Sequence, residues 1–284
     1  MKLYRAFATV GGLTMVSRLL GFARDILIAA ALGSGAVADA FFVAFRFPNL
    51  FRRLFGEGAF NAAFVPLFAK RLEGEGPERA RAFAAEAQSG LLAVLLIISL
   101  AAIAAMPWLM MLLAPGFAQN PAKYDLAVLL TQVAFPYLLF MSLVALLSGV
   151  LNSAHRYWAA AAAPILLNVV LILAILLAIW LGFSRREEAG FILAVGVTLA
   201  GIAQLVMLVV ATRRAGLPIG LVRPRWSPDM KRLVGLGIPG LVSGGVTQLN
   251  IVVGTVVASL QAGAGTPIQA MVRLAQGGEE SPAR

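Results

Sequence analysis

The sequence contains no cysteine and a single histidine, His155. Without cysteine there can be no disulfide, thiolate metal site or cysteine nucleophile, and one histidine removes most histidine-based metal and catalytic schemes. The motifs of zinc peptidases, of serine hydrolases and of P-loop nucleotide binding are also missing. The sequence therefore predicts no metal, no cofactor and no enzymatic activity, and it makes ATP-driven transport by this chain alone unexpected.

Charged residues are scarce as well, at 13% of the 284 residues, where a soluble domain has about 25%. Hydrophobic residues make up 60% of the chain, and the mean hydropathy is +0.88. The apolar runs reach the length of about 20 residues with which a helix crosses a bilayer. This composition excludes a disordered chain, a soluble enzyme and a nucleic-acid-binding domain. It predicts an all-α fold, that of a polytopic helical membrane protein.

Seven membrane-spanning segments are predicted. They cover residues 8–32, 36–69, 84–113, 125–151, 159–182, 189–211 and 234–261. The second is too long for one straight crossing, because it would measure about 50 Å at 1.5 Å per residue; we expect a kink or break at Pro48, Gly56 or Gly58. The domain organisation is predicted as a transmembrane lobe over 1–262, followed by a polar, disordered tail over 263–284.

The distribution of lysine and arginine predicts the orientation. With the N-terminus in the cytoplasm, the cytoplasmic segments carry 13 basic residues and the outer segments five. This bias obeys the positive-inside rule. The net charge of +10 therefore reflects orientation and contact with anionic membrane lipids rather than binding of nucleic acid.

The first two predicted spans contain unusual intramembrane charges. These are Arg18, Arg24, Asp25, Asp39, Arg46, Arg52 and Arg53. Each costs about 2.5–3.5 kcal/mol at the centre of a membrane helix, so each should line a protein interior or a wet cavity, or extend to the headgroups. Arg18 and Asp25 are seven residues apart and share one helix face, whereas Arg24 lies on another. Because arginine predominates, the cavity suits an anion such as a lipid-linked diphosphate.

Several of these charges also allow a purely structural interpretation. Asp25 could be a local partner of Arg24, Arg46 a packing residue, and Arg52 a side chain that extends to the headgroups. Gln248 and Asn250, near a Gly-Gly pair in the seventh span, could line the cavity. The other polar residues of the later spans are expected to form hydrogen bonds between helices. They include Gln132, Asn168 and Gln204.

One long segment carries a family resemblance. Residues 14–70, TMVSRLLGFARDILIAAALGSGAVADAFFVAFRFPNLFRRLFGEGAFNAAFVPLFAK, closely resemble the amino-terminal signature of the MurJ (MviN) lipid II flippase family. That family belongs to the multidrug/oligosaccharidyl-lipid/polysaccharide exporter superfamily. APGF at 114–117, FPYLLF at 135–140 and LLNVVLI at 166–172 fit the same family. The resemblance covers roughly residues 1–262.

The resemblance implies a function and roles for individual residues. Family members move lipid II, the undecaprenyl-pyrophosphate-linked peptidoglycan precursor, from the inner to the outer leaflet of the bacterial cytoplasmic membrane by alternating access. They have fourteen helices in two lobes around a cationic cavity, and this chain would form the N-terminal lobe. The resemblance implies that Arg18, Arg24 and Arg52 bind the diphosphate. It makes Asp39 a gating or arginine-pairing carboxylate. It places Glu57 and Phe60 near the inner gate.

The family pattern is lost near Ala264, so we expect a truncated chain that needs a second lobe for transport. The expected partners are lipid II, membrane lipids and the cell-wall synthesis machinery. Two alternatives remain open: an exporter of another polyprenyl-linked oligosaccharide, and a half-length scaffold that does not transport. An intramembrane enzyme would need clustered carboxylates or histidines at a membrane face, and the sequence shows none.

Overall fold

The computed structural model describes residues 2–52, residues 59–239 and a few positions between 253 and 260. The regular structure over these residues is helical, which confirms the predicted all-α fold. The helices are α1 (Lys2–Leu32), α2 (Ala36–Arg52), α3 (Ala59–Gly74), α4 (Pro77–Ala104), α5 (Met106–Leu113), α6 (Pro121–Ala134), α7 (Tyr137–Ser153), α8 (Trp158–Trp180) and α9 (Glu187–Arg214), with a 3-10 turn at Pro115–Gln119. Residues 228–239 form the described part of a further helix, α10.

Four helical stretches of the described chain are long and apolar enough to cross a membrane. They are Pro77–Ala104, Pro121–Ser153, Trp158–Trp180 and Glu187–Arg214. Each coincides with one of the seven predicted spans. Two of those spans are less regular than predicted: the third breaks at Ala105, two residues before Pro107, and the fourth breaks at Phe135 and Pro136. Proline lacks the N–H that would continue the helical hydrogen bonding, which accounts for breaks at these points.

The predicted irregularity of the second span is only partly described. Helix α2 continues past Pro48 to Arg52, and α3 begins at Ala59. Pro48 therefore does not end the helix. Gly56 and Gly58 lie outside the described residues, as do most of the seventh span and the predicted tail over 263–284.

Helix α9 lies at the centre of the bundle, where it packs against α8, α7, α6 and α2. Glycines allow these close approaches. A methyl group added at Gly196 would lie 3.0 Å from Ala174 Cβ, and one added at Gly201 would lie 3.0 Å from the Tyr137 ring. In a membrane there is no hydrophobic driving force between helices, so helices associate through van der Waals packing, and small residues allow the close approach that this packing requires.

Helix α1 lies at the edge of the bundle and has two different faces. One face packs against α8 and includes Gly21, Arg24 and Ile28. The other face is open over about three turns. It carries the exposed apolar side chains Met15, Leu19, Phe22 and Ile26.

The two ends of the bundle differ in charge. At one end the backbone N–H of Arg185 donates to the carbonyl oxygen of Ala31, at 2.9 Å. At the other end Arg71 pairs with Asp229. Among the lysines and arginines of residues 59–239, eleven lie at the Arg71 end and three at the Arg185 end. The first group is Lys70, Arg71, Arg79, Arg81, Arg156, Arg213, Arg214, Arg223, Arg225, Lys231 and Arg232; the second is Lys123, Arg185 and Arg186.

Candidate functional site

The Arg24 side chain lies between α1, α2 and α8, with only 14% of its surface exposed. Its Nε and Nη2 atoms donate to Asp25 Oδ1 at 3.0 and 2.7 Å. Its Nη1 atom donates to Asn168 Oδ1 at 2.7 Å. The guanidinium also lies over the ring of Phe45, with Cζ 5.5 Å from the ring centroid. We call these residues, together with Ser17, the Arg24 site.

Asn168 holds this site together from α8. It is 5% exposed, and its Nδ2 atom donates to the carbonyl oxygen of Ser17 at 2.8 Å. Both ends of its amide are therefore used, one to fix the α1 backbone and the other to orient Arg24. Gly21 of α1 faces this amide, since a methyl group added there would lie 3.6 Å from Nδ2, an ordinary van der Waals contact.

The sequence predicts an interhelical hydrogen bond for Asn168 but does not connect this residue with Arg24. A polar amide within the apolar run LLNVVLI was the available signal. Its partner could not be identified from sequence, because Arg24 lies 144 residues earlier in the chain.

Arg18 and Arg46 are exposed, in contrast to Arg24. Neither forms a hydrogen bond or an ion pair with a residue that the structure describes. Arg18 lies on the open face of α1, the face that also carries the largely exposed Asp25 side chain. The exposures therefore agree with the predicted separation of Arg18 and Asp25 from Arg24.

Asp39 forms a second charged site, at the Arg185 end of the bundle. Its Oδ2 atom lies 2.5 Å from Lys123 Nζ, and the two side chains are 14% and 8% exposed. The ammonium group also lies 4.3 Å from the ring centroid of Phe117. Asp39 is therefore charge-paired, but its partner is the lysine Lys123 rather than an arginine.

The structure describes the side chains of only some of the predicted site residues. Arg52 and Phe60 lie at the described ends of α2 and α3, but their side chains are not described. Glu57, Gln248 and Asn250 lie outside the described residues altogether. Over the part of the chain that is described, no three histidine, aspartate or glutamate side chains are grouped so that they could hold a metal ion.

Sequence comparison gives extended matches. The family profile described as lipid II flippase MurJ matches residues 28–276. A probable lipid II flippase MurJ of Rhizobium tropici is 50% identical over 277 residues, which cover 97% of this chain and 52% of that relative. The lipid II flippase MurJ of Burkholderia cenocepacia is 37% identical over 264 residues, covering 91% and 50%. The chain thus spans about half the length of these relatives.

Two solved structures share the fold. A lipid II flippase MurJ in an inward closed conformation aligns with a TM-score of 0.67 at 23% identity, covering 88% of this chain and 50% of that one. A transporter of the MOP superfamily from Pyrococcus furiosus aligns with a TM-score of 0.64 at 14% identity, covering 84% and 52%. The helices described above therefore have the arrangement found in about half of each transporter.

Proposed function

Because the chain belongs to the lipid II flippase MurJ family, we propose that it supplies one lobe of a transporter for lipid II. The cargo would move from the inner to the outer leaflet of the bacterial cytoplasmic membrane. The chain covers about half of its relatives' length, so a second lobe of similar size is part of this proposal. Alternating access needs two bodies that move against each other.

The Arg24 site is the observation that carries the proposal. A guanidinium group placed along a membrane helix is costly unless it serves a partner or a ligand. Here it is held by one carboxylate and one amide, and the carboxylate partner, Asp25, keeps 59% of its side chain exposed. A diphosphate offers more negative charge and a geometry that matches the guanidinium fork. In this mechanism the diphosphate of lipid II replaces Asp25 at Arg24.

Other residues complete the proposed cargo site. Arg18, exposed on the open face of α1, would contact the same diphosphate, as would Arg52. Asp39, held by Lys123, would control opening at its end of the bundle. Glu57 and Phe60 are assigned to the opposite gate by family resemblance, and Gln248 and Asn250 to the cavity wall. The proposal includes no catalytic step.

The open face of α1 supports the need for a second lobe. Its exposed side chains are apolar except for the charges of the proposed site. A surface of this kind suits a partly wet cavity whose far wall is another protein element. The basic end of the bundle supports a cytoplasmic N-terminus, since lysine and arginine are concentrated in the cytoplasmic segments of membrane proteins.

Replacing Arg24 with alanine tests the proposal. We expect purified Arg24→Ala chain to bind lipid II about 10- to 100-fold more weakly than wild type, because a charge-assisted hydrogen bond to phosphate is lost. Native mass spectrometry in detergent measures the bound fraction. Arg79→Ala, which removes an exposed arginine of α4, is the matched control. Equal lipid II binding by wild type and Arg24→Ala would contradict the assignment.

A cellular experiment separates this function from its alternatives. The Arg24→Ala change in a complete flippase should abolish growth of cells depleted of their own flippase while leaving membrane expression intact. A scaffold of the cell-wall synthesis machinery would still support growth with this change. An exporter of another polyprenyl-linked oligosaccharide would bind its own cargo in preference to lipid II in the purified assay.

A further inference from the structure

An apolar groove lies between α4 and α10 at the basic end of the molecule. We call it the α4–α10 groove; its volume is about 450 Å³. Gly90, Leu91 and Val94 line it from α4, and Val234 and Ile238 line it from α10. The Arg24 site is elsewhere, between α1, α2 and α8, and no residue assigned to the proposed cargo site lines the groove.

The groove is open on the side that would face lipid. Val94 and Ile238 are 54% and 52% exposed. The groove is deep at Gly90, because glycine has no side chain to fill it. A methyl group added at Gly90 would have Met230 Cε as its nearest neighbour, at 3.7 Å. The lining residues of α4, from Ala87 to Val94, extend over about 10 Å at 1.5 Å per residue. That length fits within one leaflet of a hydrocarbon core about 30 Å thick.

The end of the groove is positively charged. Arg225 and Trp226 line it there, and Trp226 is 65% exposed. Arg223 is exposed two residues earlier, and within the described chain neither arginine has a hydrogen-bond or ion-pair partner. Tryptophan beside arginine is typical of the boundary between hydrocarbon and headgroups.

The segment that carries these arginines is held in place. The backbone N–H of Val222 donates to Ser89 Oγ at 2.9 Å, which ties the segment to α4. Asp229, at the start of α10, is already paired with Arg71. Asp229 is therefore not a partner of Arg223 or Arg225.

We propose that the α4–α10 groove binds one acyl chain of an anionic glycerophospholipid from the cytoplasmic leaflet, with the lipid phosphate at Arg223 and Arg225. A single acyl chain is narrow and apolar, which matches the apolar lining of this groove. Unpaired arginines at the mouth select an anionic headgroup over a zwitterionic one. This site is independent of lipid II binding and of transport.

Fluorescence of Trp226 tests the proposal directly. The chain has four tryptophans, and replacing Trp108, Trp158 and Trp180 with phenylalanine leaves Trp226 as the reporter. This chain is placed in nanodiscs of phosphatidylcholine that contain either brominated phosphatidylglycerol or brominated phosphatidylcholine at equal mole fraction. We expect stronger quenching by the anionic lipid, equivalent to a preference of about fivefold per arginine.

Two variants, each with a matched control variant, separate binding in the groove from attraction to a basic surface. Gly90→Leu should fill the groove and lower the preference toward one, whereas Gly235→Leu should leave it unchanged, because a methyl group at Gly235 meets no atom within 4 Å. Arg223→Ala with Arg225→Ala should also remove the preference. Arg213→Ala with Arg214→Ala, at the same end of the molecule, should keep most of it.

Three results would overturn the proposal. Equal quenching by the two brominated lipids would show that the mouth does not select an anionic headgroup. An unchanged preference in Gly90→Leu would assign the effect to surface charge alone. Absence of quenching by either lipid would show that a protein element, such as a second copy of the chain, covers the groove. None of these results depends on whether the chain binds lipid II.

Discussion

The two charged sites of the bundle are built in opposite ways. Asp39 and Lys123 come from α2 and α6, 84 residues apart, and both side chains are largely buried. Arg24 and Asp25 are neighbours on α1, and the carboxylate is 59% exposed. The first site has little access for any further ligand. The second presents a held arginine beside an open face, which is the arrangement a transient anionic ligand requires.

Helix dipoles explain why Lys123 needs Asp39 as its partner at this buried site, which we call the closed site; the Arg24 site is the open site. Lys123 lies in the first turn of α6, where a positive charge is unfavourable. Asp39 lies in the first turn of α2, where a negative charge is favourable. Pairing offsets the unfavourable placement of Lys123. The charges of these helices are therefore held in two ways: Asp39 and Lys123 form a largely buried pair, whereas Arg24 pairs with a carboxylate that is mostly exposed.

The largest expected effect on stability comes from breaking the Asp39–Lys123 pair. Lys123→Met should reduce the free energy of unfolding by about 3 kcal/mol, because it leaves Asp39 largely buried without a partner. Thermal or denaturant unfolding of the purified chain in detergent measures the loss. Lys70→Met is the matched control, since Lys70 is an exposed lysine on α3 and its loss should cost little.

A second substitution sharpens this result. Asp39→Asn combined with Lys123→Met removes both charges and should recover most of the lost stability. If the losses of unfolding free energy of Asp39→Asn and Lys123→Met simply add in the double variant, the two residues do not stabilise each other. The distinction between the closed and open sites would then fail.

An intermediate effect is expected at Asn168. Asn168→Leu removes the acceptor for Arg24 and the donor to Ser17, and should cost about 1–3 kcal/mol of unfolding free energy. Asn168→Asp keeps the contact with Arg24 and should retain more lipid II binding than Asn168→Leu. Asn152→Leu, at an exposed amide near the end of α7, serves as the control. Equal lipid II binding by both Asn168 variants would show that Arg24 does not depend on this residue.

The smallest effect on stability is expected at Asp25. Asp25→Asn breaks an exposed pair between neighbours and should change the unfolding free energy by only about 0–1 kcal/mol. Unfolding at low and high ionic strength measures the change, which should shrink with added salt. A loss as large as that of Lys123→Met would remove the contrast between the two sites.

The sequence allowed prediction of the elements and of the local Arg24–Asp25 pair, but not of partners that are distant in the chain. The apolar run that forms α8 was predicted as 159–182, close to Trp158–Trp180, because its length and composition are set locally. The break at Ala105 was not predicted, although Pro107 marked it. The Lys123 and Asn168 contacts could not be predicted, since each depends on how distant helices pack. The separation of Arg18 from Arg24 could be predicted, because it requires only the helical repeat.

The central position of α9 has a consequence for biosynthesis. Helices α6, α7 and α8 leave the ribosome before α9, yet they pack around it. At about 5–20 residues per second, roughly 5–20 s separate the start of α6 from the end of α9. During that interval the surfaces that later meet Gly196 and Gly201 contact lipid or the insertion machinery instead. The nascent bundle therefore closes late, from its centre, when α9 enters the bilayer.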